Sequence, residues 1–268
     1  MRWPFQRTKR AQVKTPDDRM TLTDHLIELR MRIIRAALAV MVGFVIFIAF
    51  YNPILNFLRE PYDAFCASHT LQNPEFTCDL FILSPMEGFT TKFRVSAYGG
   101  IILAVPVILW QIWQFVVPGL HPREKKYAIP FIISSVLLFL LGGVIAYATL
   151  EKALEFLIQF SGDNIQQAFQ VSKYISFVGL MIAAFGVGLE FPVLLTFLQL
   201  AGVLSHRTLL KQWRMAIVVI VALAAIITPS GDPISLAALS IPMVVLYFVS
   251  ALIGRVVQRR REARDAAA

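Results

Sequence analysis

Hydrophobic positions in this chain gather into long blocks separated by short polar stretches, with none of the strict alternation of a half-buried strand. Blocks long enough to approach or cross the ~30 Å hydrocarbon core of a bilayer lie at 33–50, 90–117, 129–150, 175–200, 213–227 and 234–254. The pattern predicts six membrane helices and an all-α membrane protein. The fifth block is short, because residues 213–227 as a helix reach only ~22 Å at 1.5 Å per residue. Such a span thins the membrane locally or lies against a partner. Between it and the sixth, Thr228-Pro229-Ser230-Gly231-Asp232-Pro233 is a tight turn, so the last two spans form a compact hairpin.

The polar stretches refine these elements. Thr21-Leu22-Thr23-Asp24 has the spacing of a helix N-terminal capping box, and Leu22, Leu26, Leu29 and Ile33 then recur at helical spacing. A short amphipathic helix therefore leads into the first span, with Glu28 and Arg32 four residues apart and able to pair weakly. Pro106, Pro192 and Pro242 fall inside spans, where each removes a backbone hydrogen bond and bends its helix, which predicts a concave bundle. Gly99-Gly100, Gly142-Gly143 and Gly186-x-Gly188 offer surfaces for close helix approach. Three segments result: a basic arm at 1–20, a six-span membrane domain at 21–254 and a basic tail at 255–268.

Composition agrees, with 57% hydrophobic and 16% charged residues, against about a quarter charged in soluble domains. The net charge of +8 reports orientation rather than nucleic-acid binding. Nine lysines and arginines lie in residues 1–35, three in 123–126, three in 207–214 and five after residue 254. All four groups fall on one side of a six-span arrangement. The opposite segments, 51–87, 151–173 and 228–233, carry one, two and none. The asymmetry predicts that both termini are cytoplasmic, with the basic clusters anchoring to anionic lipid. Residues 1–30 lack an apolar signal core, so the first span is expected to serve as its own insertion signal. The two cysteines, Cys66 and Cys78, share the first external segment. They form either a loop-stapling disulfide or two separate thiols.

Candidate chemistry sits at the charged end. Glu28, in Thr23-Asp24-His25-Leu26-Ile27-Glu28-Leu29-Arg30-Met31-Arg32, and Glu124, in the next segment on the same side, are two carboxylates suited to a cationic peptide. Glu190, in Gly188-Leu189-Glu190-Phe191-Pro192, is the one acid within a span. Such a residue is either functional or a protonated acid hydrogen-bonded inside the bundle. Asp232, just before Pro233, either caps the sixth helix or contacts a partner at the external hairpin. Trp110 and Trp113 read as an interfacial belt, with Phe115 beside them. Neither an H-E-x-x-H zinc pair nor a G-x-S-x-G nucleophile elbow is present, and no nucleotide motif occurs. No enzyme, cofactor or metal site is expected.

Four motifs in order resemble one family. His25-Leu26-x-Glu28-Leu29-Arg30-x-Arg32 is similar to the N-terminal signature of TatC, the multi-spanning subunit of the twin-arginine protein translocase. Pro106 through Phe115, followed by Pro118-x-Leu120 and Arg123-Glu124, resembles its second span and first cytoplasmic loop. Phe185-Gly186-x-Gly188-x-Glu190-x-Pro192 matches its fourth span, and Thr228-Pro229 through Asp232, then Ile241-Pro242, its last hairpin. The resemblance implies a glove-shaped bundle of six helices, N-in and C-in, with short fifth and sixth spans, in a bacterial cytoplasmic membrane. It implies that Glu28 and Glu124 bind the paired arginines of a signal peptide on a folded cargo protein, with Arg30, Phe115, Pro118 and Leu120 shaping the site. It further implies single-span partners, TatA and TatB, a homo-oligomer within a TatBC-type complex, and transport driven by the protonmotive force. From the residues alone, a proton-coupled small-solute transporter titrating at Glu190 is the alternative. Such a transporter would carry repeat symmetry between its halves, which this sequence lacks.

Overall fold

The computed structural model describes residues 22–70, 79–116, 128–161 and 169–265. The amphipathic start and the first span are one uninterrupted helix, α1 (Leu22–Ala49). It is followed by α2 (Tyr51–Thr70), β1 (Leu80–Phe81), α3 (Pro85–Val116), α4 (Ala128–Ser161), β2 (Phe169–Gln170) and α5 (Val171–Leu200). The chain then forms α6 (His206–Lys211), α7 (Trp213–Ile227) and α8 (Pro233–Asp265). Helices α1, α3, α4, α5 and α8 are long and apolar enough to cross a membrane, and α7, at the place of the fifth span, is a shorter apolar helix. Several helices outrun their apolar blocks: α3 begins at Pro85, α4 continues to Ser161 and α8 to Asp265. Hydropathy marks where lipid begins and ends, whereas helical hydrogen bonding continues into the interface and beyond.

Helix α5 is the hub. It packs against α3, α4, α7 and α8, and its Tyr174, Ile175, Val178, Met181, Phe185 and Leu189 are buried in the main core. In a bilayer, apolar side chains gain little by leaving lipid for protein, so close approach and interhelical hydrogen bonds carry association. Two glycine seams supply the approach. A Cβ on Gly142 of α4 would stand 2.5 Å from the backbone oxygen of Phe185 on α5. One on Gly43 of α1 would stand 2.7 Å from the backbone oxygen of Gly100 on α3. A polar link joins α5 to α8, where Gln199 Nε2 donates to the Ser250 carbonyl at 3.0 Å.

The segment between the first two spans, read in the sequence as a loop, contains the helix α2. Its buried face, with Tyr62, Phe65 and Cys66, closes one end of the core. Tyr174 Oη donates to the Leu58 carbonyl at 2.7 Å, and Tyr147 Oη to that of Phe57 at 2.8 Å. Strands β1 and β2 pair in parallel, Leu80 opposite Phe169 and Phe81 opposite Gln170, tying the segment before α3 to the one before α5. Glu87 fastens the same junction: one carboxylate oxygen accepts from the Leu83 amide at 2.7 Å, the other from the Ser172 amide at 3.2 Å.

Candidate functional site

At the opposite end, the start of α1 lies against the last turn of α3. Arg32 pairs with Glu28 one turn earlier and also crosses to α3, where its Nη1 donates to Gln114 Oε1 at 3.0 Å and reaches the Gln111 carbonyl at 3.5 Å. The Arg32 side chain is 12% exposed and that of Glu28 26%. The pair expected from sequence as a weak intrahelical contact is thus one arm of a network between helices. Arg32 therefore has polar partners on α3 besides Glu28, while its Nε is buried with no hydrogen-bond partner among the described residues. Beside it, the Gln111 side-chain oxygen is buried with no hydrogen-bond partner among the described residues.

Around this network Arg30 is exposed and Phe115 half-buried. Glu124, Pro118 and Leu120 lie outside the described residues. Gln111, Gln114 and the cross-helix role of Arg32 escaped sequence reasoning. Two glutamines three residues apart at the end of an apolar helix were the available signal, since that spacing puts both on one face.

Deeper in the same half of the bundle, Glu190 is half-buried on α5. It lies ten residues, ~15 Å along the helix, before Leu200. Its carboxyl group meets the Ser135 hydroxyl of α4, and Trp113 Nε1 of α3 donates to that hydroxyl at 3.4 Å. The other carboxyl oxygen is buried without a hydrogen-bond partner among the described residues. Phe131 and Phe197 lie against Trp113, each with centroids 5.1 Å from its ring. The indole expected at the interface is therefore buried between α3, α4 and α5 as a polar-tipped wedge, its N–H satisfied by Ser135.

At the α7–α8 hairpin Asp232 is 1% exposed. Its Oδ1 accepts from the Ser235 amide at 2.7 Å, and the Ser230 hydroxyl donates to Oδ2. This is the geometry of a helix cap on α8, with Pro233 in the first turn. Gly231 takes φ +60°, a left-handed conformation open to glycine, and so reverses the chain between α7 and α8. Cys66 is buried among core side chains, while Cys78 lies outside the described residues. Among the described residues, no cluster of His, Cys, Asp and Glu is arranged to hold a metal ion.

Residues 24–242 match the family described as Sec-independent protein translocase protein (TatC). The chain belongs to the TatC family. The Sec-independent protein translocase protein TatC of Frankia casuarinae is 35% identical over 259 residues, covering 96% of this chain and 70% of that protein. Its counterpart from Carboxydothermus hydrogenoformans is 36% identical over 243 residues, covering 90% and 96%. Two solved structures of the twin arginine translocase receptor TatC superpose with TM-scores of 0.67 and 0.69 at 34% and 35% identity. They cover 87% and 86% of this chain and 99% of each solved chain. The fold is the six-helix, glove-shaped membrane bundle of TatC, and the chain is a multi-pass membrane component of a protein translocase.

Proposed function

We propose that this protein is the receptor and core translocase subunit of a twin-arginine system, with its signal-peptide site at the α1–α3 end. Glu28 and Glu124 take the arginine pair of the peptide, and Arg30, Phe115, Pro118 and Leu120 shape the surface around it. Guanidinium and carboxylate form bidentate, charge-assisted bonds that a lysine ammonium does not reproduce. The single observation that carries the reading is the Glu28–Arg32–Gln114 network. It holds a carboxylate in place with an exchangeable cation. Both termini then face the cytoplasm, as the charge asymmetry supports, and single-span TatA and TatB pack against the short α7 hairpin. Glu190 serves as a polar contact for a partner helix inside the bundle. Movement of cargo draws on the protonmotive force rather than on bond chemistry in this chain.

The test is binding of a labelled Arg-Arg signal peptide and its Lys-Lys twin to the protein in nanodiscs, for wild type, Glu28→Ala and Glu124→Ala. Each substitution is expected to weaken the Arg-Arg peptide about 10- to 100-fold, in line with ~1.5–3 kcal/mol for a hydrogen bond to a charged group. Equal affinity for the two peptides, or indifference to both substitutions, would remove the two-carboxylate site.

A further inference from the structure

A second charged hollow lies at the same end of the bundle, away from the α1–α3 seam. It is a cavity of about 540 Å³ between α6 and the emerging end of α8, lined by His206, Arg207, Lys211, Arg255, Gln258 and Arg259, with Leu210 in its wall. That volume is within the ~300–1,000 Å³ of small-ligand sites. Two of its arginines come from α8, one turn apart, and the other two cations come from α6. No carboxylate is among the lining side chains. Arg207, Lys211, Arg255 and Arg259 are all exposed, and none of them takes part in the ion pairs found among the described residues. His206 Nδ1 and Gln258 Oε1 meet at 2.7 Å and fix the two walls to each other. Cations from two elements converge on one concave space, and among the described residues no carboxylate stands in its walls.

Depth decides what the anion is. The apolar block of α8 ends at Gly254, directly before Arg255, so the hollow stands where the span leaves the hydrocarbon. Trp213, at the start of α7, is stacked against Arg214 at 5.4 Å, the aromatic-and-basic pairing of a headgroup layer. Leu252, one turn to the membrane side of Arg255, is 64% exposed, and Val256, beside Arg255, is 46% exposed, so apolar surface flanks the two arginines on α8. A ligand with a phosphate and a hydrocarbon tail matches both parts, whereas a soluble anion matches only the first. We propose that this hollow is a binding site for the headgroup phosphate of an anionic phospholipid, whose acyl chains run down α8. This site is independent of the signal-peptide carboxylates.

The experiment is native mass spectrometry of the full chain in detergent, titrated with phosphatidylglycerol or phosphatidylcholine of matched chains. The arms are wild type, Arg255→Gln/Arg259→Gln, Arg207→Gln/Lys211→Gln, and Arg59→Gln/Lys152→Gln as a control elsewhere on the protein. The expected result is a retained phosphatidylglycerol whose affinity falls about 10- to 30-fold in either hollow variant, at roughly the contribution of a juxtamembrane cation per residue, and holds in the control. Phosphatidylcholine is expected to bind no hollow-dependent site. Because the substituted side chains are exposed, both variants should keep the wild-type melting temperature, and two separate pairs guard against one of them misfolding. Equal retention of the two lipids, equal loss in the control, displacement by millimolar inorganic phosphate alone, or preferential capture of a glutamate-rich peptide over lipid would each overturn the assignment.

Discussion

Helices α1 and α5 read alike by hydropathy, at 28 and 30 residues, yet they live in different surroundings. In the most apolar stretch of α5, 61% of residues are buried, against 6% in α1. Lipid and protein interior are equally good solvents for leucine, so apolarity does not separate them. Small and polar residues do. Helix α5 carries Gly179, Gly186, Gly188, Ser172, Thr196, Gln199 and Glu190, whereas α1 carries a single glycine, Gly43, placed where it meets Gly100. A membrane helix thus announces its neighbours through the residues that let backbones approach.

The largest effect is expected at the α5 seam. Gly142→Val places side-chain carbons against the Phe185 backbone, which has no rotamer with which to yield, and overpacking of ~3 kcal/mol or more should abolish a monodisperse species in size-exclusion chromatography. Gly43→Ala, the corresponding change for α1, should cost ~1–3 kcal/mol. It should widen the α1–α3 distance between spin labels while the remaining bundle keeps its melting transition. Equal losses from the two substitutions would break the contrast between hub and outlier helix. Asp232→Ala removes the α8 cap and should lower thermal stability by ~1 kcal/mol, whereas Asp232→Asn, which retains an acceptor, should stay close to wild type. The smallest stability effect is expected from Glu28→Ala, a few tenths of a kcal/mol for a helical ion pair, because Arg32 retains Gln114. A loss above ~1 kcal/mol in a melting experiment would mean that α1 depends on that carboxylate for its position.

Sequence was informative wherever a signal is carried by consecutive residues. Six spans, the short fifth, the tight hairpin and the Gly142 and Gly186 contacts follow from blocks and neighbouring residues. Helix α2 was missed because it contains Pro61 and buries its apolar face only once α4 and α5 are in place. Strands β1 and β2 are two residues each and exist by pairing with each other across much of the chain. Gly43 and Gly179 stand alone in sequence, and only the register of the opposing helix reveals why a side chain would not fit. At the candidate site, Glu28 was legible from its charged surroundings. Its link to Gln114 depends on how far α1 slides along α3, which no local pattern encodes.

The uneven surroundings of α1 and α5 also set the order in which the chain becomes comfortable in a membrane during synthesis. Helix α1 is made first and has little to bury, so it can dwell in lipid alone until Gly100 arrives to receive Gly43. Helix α5 reaches the bilayer with Gln199 still lacking the Ser250 carbonyl that completes its link to α8, and that carbonyl belongs to the last helix made. The newborn protein therefore holds its most enclosed helix incomplete until translation is almost finished, which makes the interval between the emergence of α5 and α8 the stage at which quality control would find most to recognise.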